Sequence, residues 1–265
     1  MSIRVGVLGA GGRMGATVCT AVSAADGMDL VAAVDPDASG ATIEGIQVAA
    51  AREALSEAGV DVCVDFTHPD VVADNIRWLL EHGIHAVVGT TGLADQDLDG
   101  IRRKAQDGTA KVFLAPNFAI GAVLMMQLAA QAARHLPDVE IVELHHDGKA
   151  DAPSGTSLRT ADLIAEARGQ TSEPVAGGSQ PARPMGEIID GARGAQRAGI
   201  RVHSVRLRGL VAHQEVLLGG PGQTLSIRHD SYDRTSFMPG VLLAVRRVAG
   251  LPDAVTVGLE ALLGE

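Results

Sequence analysis

Apolar runs and amphipathic stretches alternate through the first 116 residues. The amphipathic stretches repeat their apolar residues with helical spacing at residues 13–25, 71–81 and 96–106. The apolar runs lack polar alternation, which is typical of parallel strands covered by helices on both faces. In chain order these runs are IRVGVLG, LVAAVD, VDVCVDFT, HAVVGTTG and KVFLAP. The pattern predicts an α/β, Rossmann-type domain with a doubly wound parallel sheet.

A different order of elements follows residue 117. The apolar helix AIGAVLMMQLAAQAARHL precedes the alternating strand DVEIVELHH and a second helix, GTSLRTADLIAEARG. Three later strands, IRVHSVRLRG, AHQEVLLGG and QTLSIRHDS, are spaced closely enough to pair antiparallel. We predict an inserted α+β domain with a mixed sheet at residues 118–228. The first domain then comprises residues 1–117 and 229–265, because the last helix, TSFMPGVLLAVRRVAG, returns to it.

Two further features of the second half are predicted from turn and cap residues. Residues 170–199 are rich in Gly and Pro and predict a loop, and a loop of that length is usually functional or mobile. For the last helix we predict Thr235 or Ser236 as the N-cap, because a hydroxyl accepts a hydrogen bond from a first-turn amide.

Composition and charge narrow the classes of function. The 265 residues are 46% hydrophobic, which is enough for a sizeable core, and the net charge of −10 argues against a nucleic-acid partner. No apolar run has the length of a membrane span, and a Gly-rich turn stands where a signal peptide would have its cleavage site. Cys19 and Cys63 lie in apolar runs and predict buried thiols, so we expect a cytoplasmic location.

A Gly-rich turn, GVLGAGGRMG, follows the first strand and opens the first helix. The strict Gly-x-Gly-x-x-Gly pattern fails because residue 14 is Met, but Gly9, Gly12 and Gly15 fit a Gly-x-x-Gly-x-x-Gly variant. Glycines there let the backbone approach a pyrophosphate that the helix amides also face. Arg13 adds a positive charge. A plain tight turn is the alternative interpretation.

Other strand ends predict contacts to the same dinucleotide. Asp35 lies about 20 residues beyond Gly15, where an acidic side chain binds ribose hydroxyls and repels a 2′-phosphate, which favours NADH. Residues 89–91 (Gly-Thr-Thr) and 115–118 (Ala-Pro-Asn-Phe) follow later strands at the predicted ligand edge. The alternatives are a helix cap or solvated turn residue for Asp35 and ordinary turns for the other segments. We expect the nearby His68 to be a solvated loop residue.

The stretch ELHHDGKADAPSGTS, residues 143–157, concentrates cationic and anion-binding groups. The two histidines face opposite sides of a regular strand, Lys149 follows on a turn-rich loop, and PSGTS opens a helix whose free amides can hold a carboxylate. We interpret the stretch as a site for a dianion. Three alternatives remain, namely a metal site of both histidines with Asp147 or Asp151, a nucleophilic Ser154, and structural histidines.

Four motifs together resemble the dihydrodipicolinate reductase family: GVLGAGGRMG, VVGTTG, APNFAIGAVLMM and ELHHDGKADAPSGT. The segment SVRLRGLVAHQEVLLGGPGQTLSIRHDSYDRTSFMPGVLLAV is similar to the C-terminal half of the family, so nearly the whole chain is covered. The resemblance implies an enzyme of the diaminopimelate route to lysine. It would reduce a cyclic dicarboxylate, 4-hydroxy-tetrahydrodipicolinate, to tetrahydrodipicolinate with NADH or NADPH and loss of water.

The resemblance also implies roles for individual residues. His145 would donate or accept a proton and Lys149 would donate one, while His146 and the amides of Gly155 and Thr156 would hold substrate carboxylates. The implied cofactor contacts are Gly9, Ala10, Gly11, Gly12, Arg13, Met14, Asp35, Gly89, Thr90, Thr91, Ala115, Pro116, Asn117 and Phe118. No metal is implied, and the family is typically a homotetramer built through the sheet of the second domain.

Departures from the family pattern concern charge. Asp147 and Gly148 stand where basic or polar residues are frequent in the family, so we expect less positive charge at the entrance to the site. Arg13 offers a partner for a 2′-phosphate, so NADPH stays open although Asp35 favours NADH.

Three other functions stay open from sequence. The first is a non-catalytic NAD-binding regulator of the same fold, and the second is a paralogous reductase of another cyclic imine dicarboxylate. The third is an aldehyde dehydrogenase of the phosphorylating or semialdehyde type, which needs a cysteine nucleophile at a helix start. Cys19 and Cys63 are poorly placed for that role.

Overall fold

The computed structural model describes residues 2–169 and 188–264. These form two compact units, Met1–Ile120 with Arg234–Glu265, and Gly121–Asp233. The predicted boundary after residue 117 lies close to the first break. The predicted boundary after residue 228 would instead cut a strand, because pairing in the second unit continues to Ser231. The dinucleotide-binding and substrate-binding roles of the two units remain predictions.

Within the described residues the backbone forms thirteen strands and seven α-helices. The strands are β1 (Ile3–Leu8), β2 (Met28–Val34), β3 (Thr42–Ile43), β4 (Ile46–Ala49), β5 (Val62–Asp65), β6 (His85–Val88), β7 (Val112–Leu114), β8 (Asp138–His145), β9 (Ala195–Arg197), β10 (Ile200–Arg206), β11 (Ala212–Gly220), β12 (Gln223–Ser231) and β13 (Val255–Val257). The helices are α1 (Arg13–Ser23), α2 (Glu53–Glu57), α3 (Pro69–Glu81), α4 (Asp95–Gln106), α5 (Ile120–Ala132), α6 (Gly155–Ala167) and α7 (Met238–Arg247).

An eight-stranded sheet in the order β13-β7-β6-β5-β1-β2-β4-β3 is the centre of the first unit. Its pairings are parallel except for the short β3–β4 hairpin. The prediction of a doubly wound α/β sheet is therefore confirmed, with all five apolar runs in it. The pattern missed β3, β4, α2 and β13, because elements of two to five residues are too short to show a periodicity.

Helix α3 shows how the core of this unit forms. It begins at Pro69, whose fixed φ suits a first helical turn, and His68 is the N-cap. It then buries Val72, Ile76 and Leu79, which recur at the spacing of one helical face. These side chains belong to one hydrophobic cluster with residues of β5, β6, β7 and α4. No helix among the described residues is long and apolar enough to cross a membrane.

The second unit has a five-stranded mixed sheet in the order β12-β11-β8-β10-β9. The central strand β8 runs parallel to β10 and antiparallel to β11, which confirms the predicted mixed sheet. Val202, Ile141 and Val216 lie side by side across these strands and are buried. Helix α6 packs against β8, and its Ile164 is buried in the same core.

Two details of the second half differ from prediction. The segment predicted as a loop at residues 170–199 contains β9, which pairs with β10; residues 170–187 lie outside the described residues. The predicted N-cap at Thr235 or Ser236 is wrong, because a 3-10 turn at Arg234–Phe237 precedes α7 and the N-cap is Phe237. A proline in the first turn of α7 replaces the hydroxyl cap as the start signal.

At Gly240 in α7 we expect a Gly→Ala substitution to lower stability, although helix propensity alone favours Ala. Replacing Gly by Ala inside a helix normally stabilises by about 1 kcal/mol. However, a Cβ at residue 240 would lie 2.1 Å from the carbonyl oxygen of Phe118. We expect Gly240→Ala to lower the free energy of unfolding by about 1–3 kcal/mol, measured by denaturant titration.

Gly100 in α4 is the matched control, because a Cβ there would have Arg77 Nη2 as its nearest neighbour, at 3.8 Å. Gly100→Ala should stabilise by about 0.5–1 kcal/mol. Stabilisation by both substitutions would contradict the close packing described for Gly240.

Candidate active site

The Gly-rich turn joins β1 to α1 and is fixed to the end of β2. The amides of Gly9 and Ala10 both donate to the carbonyl of Val34, at 2.9 and 3.1 Å. Gly9 has a φ of +78°, which favours glycine, and a Cβ there would lie 2.5 Å from the carbonyl oxygen of Phe66. No side chain caps α1, so its first-turn amides can receive an anion. A cradle without side chains at a helix start fits the pyrophosphate of a dinucleotide.

Asp35 binds the turn from the end of β2. Its Oδ2 accepts from the amide of Gly11 at 2.9 Å, and its Oδ1 accepts from the amide of Asp37 at 3.0 Å. Asp35 is therefore the N-cap of a 3-10 helix, Pro36–Ala38, which is the alternative that the sequence left open. Each carboxylate oxygen retains a second lone pair for a ribose hydroxyl. The ribose contact stays a prediction.

An open cleft of about 360 Å³ lies at the carboxyl ends of β1, β5 and β6. It is lined by Gly12, Arg13, Met14, Phe66, Thr67, Pro69, Gly89, Thr90, Thr91 and Arg234. The first three and Gly89 to Thr91 were predicted as cofactor contacts. The segment from Phe66 to Pro69 follows β5 as Gly89 follows β6, so the strand-end rule points to it as well. Arg234 also lines the cleft, but it is distant in sequence and no local sequence pattern predicts it.

The predicted segment 115–118 is not part of the cleft lining. Ala115 and Phe118 are buried, so their side chains belong to the core and any ligand contact would use their backbone. The Phe118 ring packs against the Phe66 ring at a centroid distance of 5.9 Å. Phe66 in turn requires a glycine at residue 89, where a Cβ would lie 2.1 Å from its ring. Phe118 thus supports a wall of the cleft from behind.

Asp65, the last residue of β5, is a fully buried carboxylate behind this cleft. It accepts hydrogen bonds from Thr67 Oγ1 at 2.7 Å, from Thr90 Oγ1 at 2.9 Å and from Asn75 Nδ2 at 2.9 Å. Burial raises the pKa of Asp65, although these donors oppose the shift. The carboxylate therefore ties together two of the loops that line the cleft.

The second cluster of predicted residues lies in the sheet of the second unit. Successive rows on the covered face of β8 change from apolar to polar. Beyond the Val202–Ile141–Val216 row, Glu143 stands between Ser204 and Gln214. In the next row His145 stands between Arg206 and Ala212. Period-2 alternation therefore places Glu143 and His145 on the same face.

Glu143 is fully buried, and hydrogen bonds from three residues stabilise its charge. Arg206 donates from Nη1 to Oε2 at 3.0 Å and from Nη2 to Oε1 at 2.9 Å, while His145 Nδ1 is hydrogen-bonded to Oε2. Burial opposes ionisation, but hydrogen bonds from Arg206, Ser204 and His145 outweigh it and hold the pKa of Glu143 below its usual value. Burial lowers the pKa of His145, partly opposed by Glu143 and reinforced by the charges of Lys149 and Arg206.

Lys149 lies on the loop after β8, and its ammonium contacts Asp151 Oδ1 at 2.6 Å. Arg206 reaches the same loop through Nη2, which donates to the carbonyl of Asp151 at 2.5 Å. His146 is exposed beyond the strand end. Asp147, also exposed, pairs with Arg208 at 3.0 Å. The structure therefore connects Lys149 to His145 through Asp151, Arg206 and Glu143.

The start of α6 is fixed to the strand next to β8. Ser154 is the N-cap and accepts from the amide of Ser157 at 3.3 Å. Ser157 Oγ donates to Gln214 at 2.8 Å, and Gln214 donates to Thr160 Oγ1 at 2.8 Å. Because Gln214 is the cross-strand partner of Glu143, the helix start is held beside that residue. A Cβ on Gly155 would meet nothing within 4 Å, which leaves room beside the first helical amides.

The alternatives left open by sequence find less support. Ser154 is buried and serves as a helix cap. Burial raises the pKa of Cys19 to about 12 and raises that of Cys63, so neither thiol is a ready nucleophile. His68 has a side chain that is 73% exposed and caps α3. Among residues 2–169 and 188–264, no three His, Cys, Asp or Glu side chains are arranged to hold a metal ion.

The first unit has the parallel sheet and Gly-rich turn of a Rossmann-type domain, and the second unit carries a His–Glu pair, a lysine and an open helix start. This combination is that of an oxidoreductase that uses a nicotinamide cofactor. The chain belongs to the dihydrodipicolinate reductase family. Residues 3–118 match the model "Dihydrodipicolinate reductase, N-terminus", and residues 121–263 match "Dihydrodipicolinate reductase, C-terminus".

Curated relatives match the whole chain. The 4-hydroxy-tetrahydrodipicolinate reductases of Nocardia farcinica and Thermobifida fusca are each 55% identical over 264 residues, which is 99% of this chain and 99% of theirs. A solved structure of dipicolinate-bound dihydrodipicolinate reductase from Paenisporosarcina sp. TG-14 is 40% identical, with a TM-score of 0.87 over 98% of this chain and 99% of that one. An amine dehydrogenase from Mycobacterium smegmatis, 15% identical with a TM-score of 0.67 over 97% of this chain and 95% of that one, shares the fold.

The Asp65 network predicts a pH-dependent loss of stability. Asn75→Ala removes a donor that favours ionised Asp65, so we expect the free energy of unfolding to fall by about 1–3 kcal/mol where Asp65 is ionised. The loss should shrink as the pH falls through the raised pKa of Asp65, because the protonated carboxyl depends less on the donor. Denaturant titrations at several pH values measure this.

Gln96→Ala, at an exposed position on α4, is the control and should change the free energy of unfolding little and equally at all pH values. A loss that is equal at all pH values for Asn75→Ala would contradict an ionised Asp65 held by this donor.

Proposed function

We propose that the protein reduces 4-hydroxy-tetrahydrodipicolinate to tetrahydrodipicolinate with NADH or NADPH and loss of water, in the diaminopimelate route to lysine. The observation that carries this proposal is the cluster in the second unit. One hydrogen-bonded network holds His145 and Lys149, and the start of α6 is bound to Gln214, the cross-strand partner of Glu143. Membership of the family supports the same activity. A small cyclic dicarboxylate is the partner that this chemistry fits.

The cofactor would be held by the first unit. The Gly9–Met14 turn and the α1 amides fit the pyrophosphate, and the cleft walls formed by residues 89–91 would flank the nicotinamide. When bound, the reduced nicotinamide supplies the hydride. Asp35 favours NADH through the charge of its carboxylate, while Arg13 in the cleft offers a partner to a 2′-phosphate. Residues 115–118 would contribute backbone contacts and support for the Phe66 wall.

The second unit would hold the substrate and move protons. The amides of Gly155 and Thr156 at the start of α6, with exposed His146, bind carboxylates. Lys149 provides a proton, and His145 exchanges one through the ring nitrogen that does not contact Glu143. The substrate ring gains a hydride and a proton and loses water. This division of roles explains how an acidic chain can bind a dianion, because fixed amides and local cations dominate at the site.

We further propose a cytoplasmic homotetramer assembled through the sheet of the second unit. Strand β12 is the edge of that sheet, and residues 223–226 at its start are exposed. On β12, Leu225 presents apolar surface at this edge and is 41% exposed. An exposed apolar sheet edge is the kind of surface that a second copy covers.

The activity is tested by coupling the protein to the synthase that makes its substrate and following NADH oxidation. We expect turnover that depends on the synthase product. Lys149→Ala should lower kcat by about 10²–10⁴-fold, the contribution of a positioned proton donor, while the Kd for NADH changes less than about twofold. No oxidation of either NADH or NADPH by the unmodified protein would contradict the proposed function.

Lys104→Ala is the matched control, because Lys104 forms a surface ion pair with Glu81 at 3.1 Å. That substitution should leave kcat unchanged. A loss of NADH affinity in Lys149→Ala as large as the loss of rate would contradict the role given to Lys149.

Cofactor choice gives a second test of the proposal. Asp35→Asn removes the charge and keeps one of the two oxygens that accept from the amides of Gly11 and Asp37. We expect the ratio of kcat/KM for NADPH to that for NADH to rise about tenfold, because repulsion between close unit charges amounts to about 1–4 kcal/mol. Asp37→Asn, at an exposed neighbour, is the control and should leave the ratio unchanged. An unchanged ratio in Asp35→Asn would place the ribose contact elsewhere.

A further inference from the structure

We propose that Glu143 is a positioning residue that fixes His145 as the Nδ1–H tautomer, so that Nε2 is left as a proton acceptor, and that Arg206 extends this control to the Lys149 loop. The inference deepens the proposed function and rests on it for the assignment of His145 to proton transfer.

Geometry makes Glu143 the partner of His145. The two residues are two positions apart on β8 and share its covered face, where Glu143 is fully buried and the His145 side chain is 14% exposed. Their side chains meet at Nδ1 and Oε2. The bidentate contact from Arg206 occupies both oxygens of Glu143 and prevents the carboxylate from turning away. The imidazole is therefore held in one orientation.

Charge then decides the tautomer. A carboxylate only accepts hydrogen bonds, and the lowered pKa of Glu143 keeps it ionised, so the shared proton lies on Nδ1. The lowered pKa of His145 keeps the ring neutral, which leaves a lone pair on Nε2. The charged groups that face the ring are Glu143 on β8, Arg206 on β10 and Lys149 on the loop. Lys149 remains the cationic donor, and His145 becomes the acceptor.

Arg206 connects the two proton-transfer groups. The nitrogen Nη2 that binds Glu143 also donates to the carbonyl of Asp151, whose carboxylate holds the Lys149 ammonium. A shift of Glu143 would therefore be transmitted to the loop as well as to the histidine. The same buried carboxylate positions the acceptor and, through one arginine, the donor.

The chain contains a matched control for this arrangement. Glu140, also on β8, is hydrogen-bonded to His203 Nε2 at 2.7 Å and pairs with Arg193. It thus has the same three residue types, but the side-chain hydrogen bonds and ion pairs described for its partners go to Glu140 and not to residues 143–157. Glu140 is also 35% exposed, so its removal leaves no buried charge without a partner.

The direct test uses ¹⁵N NMR of the histidine rings in the full-length protein without substrate. In the unmodified protein we expect His145 to be a neutral Nδ1–H tautomer at neutral pH. In Glu143→Gln the amide oxygen should be taken by Arg206, so the amide NH₂ faces Nδ1 and His145 changes to the Nε2–H tautomer. Glu140→Gln should leave His145 unchanged. An unchanged His145 tautomer in Glu143→Gln would overturn the proposal.

Kinetics separate positioning from a structural role. We expect Glu143→Gln to lower kcat by at least about 100-fold and to abolish the pH dependence that His145 gives to kcat, with unchanged Kd for NADH. Glu140→Gln should keep both the rate and the pH profile. Equal effects of the two substitutions would contradict the proposal.

A second variant covers the case in which Glu143→Gln does not fold. Glu143→Asp keeps the carboxylate, so the Nδ1–H tautomer and part of the rate should be retained; an Nε2–H tautomer in it would also overturn the proposal. The NMR result does not depend on turnover. An inactive unmodified protein with the expected tautomer change would therefore contradict the proposed function and leave the positioning of His145 by Glu143 supported.

Discussion

Burial of a carboxylate near the end of a strand is the constraint on which both candidate sites depend. A buried charge is tolerated when hydrogen bonds and opposite charges replace its hydration. Asp65 at the end of β5 meets this requirement with two hydroxyls and an amide, and Glu143 on β8 meets it with a guanidinium and an imidazole. Each carboxylate therefore dictates where the surrounding loops lie.

The two carboxylates differ in the charge of their partners, and their pKa values move in opposite directions. Donors to Asp65 are neutral, so burial dominates and its pKa rises. Burial also opposes the ionisation of Glu143, but hydrogen bonds from cationic Arg206 and from Ser204 and His145 outweigh it, and the pKa of Glu143 falls. Asp65 is thus suited to hold loops in place, whereas Glu143 is suited to act as a fixed negative charge beside a histidine. This difference follows from partners rather than from depth, since both are fully buried.

The fold could be predicted to the extent that its elements were long enough to carry a period. Continuous apolar runs gave the parallel strands, and the alternating run gave β8, because these patterns follow from which faces are covered. The prediction that a hydroxyl residue caps α7 was wrong, because a 3-10 turn and a proline determine where that helix begins. The hairpin β3–β4 and the strand β13 offered too few residues to be recognised.

The sequence by itself determined the doubly wound sheet, the Gly-rich turn and the order of His145, Lys149 and the start of α6, because each is encoded within a short contiguous segment. Only the tertiary structure decided which distant side chains complete the sites. Arg206 lies 63 residues from Glu143 and Gln214 lies 57 residues from Ser157. Strand register nevertheless brings both into the site, because it places Arg206 beside His145 and Gln214 beside Glu143. Arg234 likewise enters the cleft from the far end of the chain. Such partners leave no local pattern, because their position depends on long-range pairing of strands, and this pairing sets the charge of Glu143 and the orientation of His145.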